Sequence, residues 1–229
     1  MGSRRQPARP KPHWWSPLTS ADHWGAIASE RRALADQLDV LSPEQWDTQS
    51  LCDAWTVRDV VAHLVLPHKT SIPAFLVTLV AAGGSFSRAN VAMTAKEAKR
   101  PPTDLAADIR RCADSRTKPP GFGSEAPLTE LLVHGQDIRI PLGLEDTSAT
   151  GSWGAALDFL VMPKARRGFV SRSLQGFRFV ASDVDWEYGL GEEVRGPAVA
   201  LALAMMGRRS RGDELTGPGA PGLVGSAGR

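Results

Sequence analysis

The sequence predicts an α+β protein, a four-helix bundle followed by a small α/β domain. Two observations carry the prediction. Between Ser20 and Gly143, apolar residues recur at helical spacing in four stretches, separated by breaks marked with proline or glycine. After Gly151 the pattern changes to the alternation Phe177, Phe179, Ala181, which has the period of two expected of a strand.

Met1 to Pro17 is rich in Arg, Pro and Lys and reads as disordered, so residues 1–19 are assigned to a basic tail. Residues 20–146 are assigned to the bundle. Its first helix is expected from Ser20 to Leu41, with Trp24, Ile27, Ala28, Leu34, Leu38 and Leu41 on its apolar face; Ser42-Pro43 stops it. Thr56-Val57-Arg58-Asp59 has the form of a capping box before Val60, Val61, Leu64 and Val65, and so starts a second helix. Pro67 and Pro73 interrupt or kink that helix, and an apolar stretch continues to Ala82 before Gly83-Gly84 ends it. A third helix is expected from about Thr103 to Asp114, then a loop from Lys118 to Gly123. The fourth runs from near Pro127 to Pro141-Leu142-Gly143.

Residues 147–229 are assigned to the α/β domain. A helix is expected from Trp153 to about Lys164, then a strand through Phe177 and Phe179 whose alternation continues to Val184 and Trp186. Gly189 and Gly191 mark a tight turn, and Glu193-Val194 a second short strand. An apolar helix follows from Pro197 to Met206, with proline at its start. Past Leu215 the chain is rich in Gly and Pro and is expected to fray. No internal repeat is present.

A content of 42% hydrophobic and 23% charged residues in 229 supports a sizeable core. Arg4, Arg5, Arg9 and Lys11 concentrate positive charge in the tail; removing these four from 27 bases leaves 23 against 25 acids. The body therefore lacks the concentrated basic face of a nucleic-acid-binding protein, and the tail reads as solvated or as touching an anionic surface. Two cysteines, Cys52 and Cys112, make no disulfide framework and suit a reducing compartment. No apolar region follows the basic N-terminus, and Gln6 removes a myristoylation signal. The apolar stretch from Ile72 to Ala82 is too short to span a bilayer. A cytoplasmic protein without nucleic-acid or membrane partners is expected, with a monomer favoured.

Three residues carry the strongest chemical signal. Glu130 and His134 are four apart, so on a helix they stand on one face, and Asp137 extends that stripe by a turn. Leu131, Leu132 and Ile138 set the same helix against the core, where a carboxylate and an imidazole are costly unless something satisfies them. A divalent cation would satisfy both and accept His63, from the second helix, as a third ligand. Two nitrogens and one carboxylate are the ligand set of catalytic zinc with one position left open, and also suit non-haem iron. Asp137 would orient a ligand histidine. The alternative is that His63 is a satisfied core histidine, Glu130 faces solvent and His134 lies on the helix surface. Cys52 reads as a small buried residue, and Trp14, Trp15, Trp24, Trp46 and Trp55 as packing. Arg208 and Arg209 end an apolar helix, where the dipole favours cations.

The string Leu51-Cys52-Asp53-Ala54-Trp55-Thr56-Val57-Arg58-Asp59-Val60-Val61-Ala62-His63-Leu64 resembles the first metal motif of the mycothiol-dependent maleylpyruvate isomerase family. Glu130-Leu131-Leu132-Val133-His134-Gly135-Gln136-Asp137 is similar to its second, with Gln136 where the family often has an aromatic residue. Phe177-x-Phe179, Asp183 to Trp186, Gly189-x-Gly191, Gly196-Pro197 and Gly207-Arg208 resemble its C-terminal domain. The resemblance implies a DinB-like bundle followed by a sterol-carrier-like α/β domain. It implies zinc, or another divalent metal, at His63, Glu130 and His134. It further implies the low-molecular-weight thiol mycothiol as cofactor, with Asp137 and Arg208 at its site, and Arg208 as an active-site arginine for a carboxylate. The implied partners are that thiol and a small electrophilic substrate. The implied reaction adds a thiolate to the cis double bond of maleylpyruvate, allows rotation, and eliminates to the trans isomer. A mycothiol S-transferase acting on electrophiles shares the thiolate step, and a non-catalytic metal-binding regulatory module is a further alternative.

Overall fold

A computed structural model describes residues 19–225, except for the side chains of Ile72 and Arg167. The expected basic tail lies outside the described residues but for Thr19, which caps the first helix. The fold is α+β, mostly helical with one three-stranded sheet.

Helices α1 (Ser20–Leu38), α3 (Val57–Lys69), α6 (Pro102–Arg111) and α7 (Glu125–Leu142) form the four-helix bundle, α1 and α3 each packing against both α6 and α7. α1 and α3 begin in full capping boxes, Thr19 with Asp22 and Thr56 with Asp59, which satisfy two orphan backbone donors each. α7 ends at Gly143, whose φ of 64° is the left-handed cap.

Three helical expectations are corrected. α1 stops at Leu38 rather than Leu41, because Ser42 caps a separate short helix, α2 (Pro43–Trp46), with Pro43 in its first turn. The expected kinked helix from Thr56 to Ala82 is two helices, α3 and α4 (Ile72–Ala81). Pro67 sits inside α3 without ending it; the break comes where Thr70 turns extended and the Ser71 side chain accepts the Ala74 N–H. No helix was expected between Gly84 and Pro101, yet α5 (Phe86–Glu97) lies there against α3. It buries only Ala89 and Thr94, so it has no apolar stripe to betray it.

α8 (Thr150–Leu160) packs on both α7 and α9 (Ala198–Met205), so the apolar core runs continuously from the bundle into the C-terminal elements. The sheet has the order β2-β1-β3, with β1 (Gly176–Ala181) antiparallel to β2 (Glu187–Gly189) and parallel to β3 (Gly191–Gly196). The chain leaves one edge of β1 and joins the other within a single residue, Leu190. Gly191, at φ 137°, makes that crossing possible, because a Cβ there would collide with the Gly176 carbonyl. The first strand stops at Ala181 rather than continuing through Val184 and Trp186. The chain turns there so that Asp183 Oδ1 accepts the Ala198 N–H at the start of α9, and the Trp186 indole donates to Asp158. The expected fraying past Leu215 is also corrected. Thr216 pairs with Arg195, and α10 (Ala220–Gly225) buries Leu223 to 1% exposure.

One buried pair fixes the register of α1 on α7. Arg139 donates to Glu30, and both side chains are almost wholly out of solvent. Gly135 makes room for them: a Cβ would lie 2.8 Å from Arg139 Nη1 and 3.3 Å from Glu30 Oε1. Gly135→Ala is expected to destabilise by about 1–3 kcal/mol, as overpacking does, despite alanine's better helix propensity. A thermal or urea melt checks this; an unchanged midpoint would show that the pair yields freely.

Near the other end of α3, Arg31 donates to His68 Nε2 and to the carbonyl oxygens of Cys112, Ala113 and Ser115. Because arginine can only donate, His68 Nε2 accepts, and Nδ1 carries the proton toward the Ser115 hydroxyl. Burial, and then the charge of Arg31, push the His68 pKa down to about 4 from 6.5. The unfolded chain takes up this proton first, so stability is lost as pH falls from about 6.5 to about 4. Partial exposure of the ring limits the loss to about 1–2 kcal/mol. Urea midpoints of His68→Gln across that range should vary less with pH than those of the unmodified protein.

Candidate metal centre

α3 and α7 face each other, and His63 from one meets Glu130 and His134 from the other. His63 Nε2 lies 3.1 Å from Glu130 Oε1, and the imidazole rings of His63 and His134 are 5.0 Å apart, nearly perpendicular. One ligand atom from each of the three falls within 4.8 Å of the other two. Their side chains are 12%, 25% and 12% exposed, so the cluster is held by the fold but open to solvent on one side.

Asp137, fully buried, organises the layer behind. It accepts hydrogen bonds from His134 Nδ1 at 2.8 Å, from Arg208 Nε at 3.0 Å and Nη2 at 2.7 Å, and from the Cys52 thiol at 3.1 Å. Burial alone would raise its pKa; the bonds from His134 and Arg208 outweigh burial and hold it well below the carboxylate range. An ionised Asp137 keeps the proton of a neutral His134 on Nδ1, so Nε2 retains its lone pair. Among the described residues nothing donates to that lone pair. Burial also lowers the His134 pKa, which keeps the ring in the neutral form a metal needs. For Glu130, burial acts upward, and the His63 hydrogen bond and the nearby imidazole charges outweigh it, leaving the carboxyl ionised more readily than usual. His63 Nδ1 is buried without a hydrogen-bond partner.

The residues present therefore fit a divalent cation: a lone pair on His134 Nε2, an ionised carboxylate, and a second imidazole that the protein leaves only partly satisfied. Cys52, His134 and Asp137 are a second group close enough to hold an ion. There, however, Arg208 Nη2 contacts both Asp137 and the Cys52 sulfur at 3.2 Å, so a positive charge already occupies the place.

The structure also shows participants that the sequence reading did not assign. Trp55 lies against His63, ring centres 4.9 Å apart, and 6.2 Å from His134, so it walls the site rather than merely packing. It is held there by a tight loop: Gln49 Nε2 donates to the carbonyl oxygens of Cys52 and Trp55, and Leu51 N–H donates to the Asp137 carbonyl on α7. The available signal was position, since Trp55 immediately precedes the cap of the helix that carries His63. Cys52 is a thiol held neutral: burial and then the charge of Asp137 push its pKa up to about 12. Arg208 lies behind the cluster with its guanidinium turned onto Asp137 and Nη1 on the Met206 carbonyl.

The family profile described as mycothiol maleylpyruvate isomerase N-terminal domain matches residues 27–139. That span contains His63, Glu130, His134 and Asp137. Residues 27–139 are thus a domain of the mycothiol maleylpyruvate isomerase N-terminal type. Two solved structures are similar across 89% of this chain and 94% of theirs: a mycothiol-dependent maleylpyruvate isomerase, at 16% identity and a TM-score of 0.56, and a histidine-to-alanine mutant of a mycothiol-dependent maleylpyruvate isomerase, at 15% and 0.56. At such identity the likeness is one of fold. No curated protein matches the sequence. Among the described residues, no single helix is long and apolar enough to cross a membrane.

Proposed function

We propose that the chain is a metal-dependent enzyme that uses mycothiol as its thiol cofactor and isomerises a cis double bond by thiolate addition and elimination. The observation that carries the proposal is the convergence of His63, Glu130 and His134 at mutual distances that a single ion would bridge, within the span matched to the family. In this reading residues 20–146 supply the ligands and residues 147–229 supply Arg208. Two imidazoles and one carboxylate favour zinc with an open fourth position. Held by His63, Glu130 and His134, a divalent cation would lower the pKa of a thiol brought to it, so that the nucleophilic thiolate would be available at neutral pH.

The chain's own residues do the positioning. Asp137 fixes the tautomer and tilt of His134 through Nδ1. Arg208 neutralises Asp137, which would otherwise be an unpaired buried charge. Trp55 packs on the His63 ring and limits water on that side. Cys52, held as a neutral thiol donor, supports Asp137 and does not compete as a nucleophile.

Turnover of maleylpyruvate with mycothiol, measured before and after chelation and after zinc restoration, tests the reading. Metal-dependent isomerisation supports it, and full activity without metal contradicts it. One observation favours a mycothiol S-transferase instead: Arg208 is committed to Asp137 and presents no free fork to a substrate carboxylate. Mass spectrometry of reactions with a panel of electrophiles separates the two, since a transferase leaves a stable thioether whereas an isomerase returns the thiol.

A further inference from the structure

α4 departs from the rest of the fold. Ile72–Ala81 is apolar on every side, with only Thr78 to interrupt it, and helices of that composition are ordinarily buried. Yet among its described side chains none is buried. Leu76, Val77 and Val80 are 51%, 70% and 78% exposed, and Phe86 and Val91 of α5 extend the surface at 67% and 47%. Residues 70–87 contain no charged side chain.

The pair of helices that carries this face is firmly built. α5 seats Ala89 and Thr94 out of solvent and packs on α3, and Glu97 at its end is paired with Lys69 and Arg100. Phe75 rests on Phe86, ring centres 5.9 Å apart, and Arg88 Nε donates to the Ala82 carbonyl, closing the turn between the two helices. The apolar face is therefore presented in a fixed shape, with little left to order when a partner arrives.

Area and charge together choose the occupant. With the exposed proline and alanines of α4, the five large side chains present roughly 700 Å². That is beyond the about 300–600 Å² of the largest patch on a typical monomer, and close to the roughly 800 Å² that each partner buries in a standard interface. In a two-fold contact the same patch meets itself, so a charge near the axis meets its like, whereas a chargeless face meets itself without penalty. A lipid surface asks for something else, Lys or Arg at the headgroups and Trp or Tyr in the interface, and residues 70–87 have none of the four.

We infer that α4 and the start of α5 form a two-fold interface through which two copies of this chain associate, in place of the monomer expected from the sequence. The inference is independent of the chemistry at His63, Glu130 and His134.

Sedimentation equilibrium of the full chain tests it, beside Val80→Glu and Val80→Lys, whose shared position is too exposed for the fold to depend on it. The unmodified chain should dimerise at micromolar concentrations. Each variant alone should associate at least about 100-fold more weakly, because like charges are brought together. Mixing the two variants should restore the dimer, since opposite charges then face each other, a recovery that a misfolded variant could not give. An unmodified chain that stays monomeric at about 100 µM would overturn the inference. Co-sedimentation of that monomer with phosphatidylcholine–phosphatidylglycerol vesicles would then assign the face to lipid. A dimer of unchanged affinity in both variants, or a mixture no tighter than either variant alone, would overturn it equally.

Discussion

Exchanging Arg208 for methionine lowers the unfolding free energy by about 3–5 kcal/mol, the cost of leaving one buried charge without its partner. Asp137 is fully buried, and it accepts two of its four side-chain hydrogen bonds from that guanidinium. The effect belongs to the orphaned carboxylate rather than to lost packing, because methionine keeps much of the stem volume. Asp137→Asn combined with Arg208→Met should therefore recover a large part of the loss, and a double-mutant cycle by urea denaturation measures the coupling. A single-variant loss under about 1 kcal/mol would mean that water reaches Asp137 and that Arg208 does not sustain the layer behind His134.

Glu130→Gln weakens metal binding by at least about 100-fold, more than the 10–100-fold typical of losing a residue that merely orients a ligand. The amide keeps the shape of the side chain but removes the charge that burial already opposes and that the His63 hydrogen bond sustains. Stability of the metal-free protein should fall only modestly, since the amide loses the charge that His63 sustains but also escapes the cost of burying a carboxylate. Competition with a chromogenic chelator reads the affinity, and a parallel melt of the stripped protein reads the stability. Undiminished affinity would remove Glu130 from the ligand set.

The bundle was legible because its helices announce themselves twice, by caps and by stripe. Thr56-x-x-Asp59 ahead of Val60, Val61 and Leu64 is both, and α3 starts at Val57 as those signals require. α5 has neither an apolar stripe nor a capping box, so only tertiary contact with α3 reveals it. The separation of α3 from α4 was hidden for another reason: two prolines drew attention, but the Ser71 side chain sets the break. At the site, spacing was sufficient to align Glu130, His134 and Asp137 on one face of α7. It carried no information on which way Arg208 turns, because its partner lies 71 residues earlier in the chain. Trp55 and Gln49 were invisible for the same reason, their roles arising from a loop folded back on α7.

Metal content by mass spectrometry, on the full chain and on a His63→Ala/His134→Ala variant purified alongside it, tests the central claim most directly. The account predicts about one divalent ion per chain in the unmodified protein and almost none in the variant, with zinc the favoured ion. No bound metal in the unmodified protein even after incubation with zinc, or equal metal in both proteins, would contradict it.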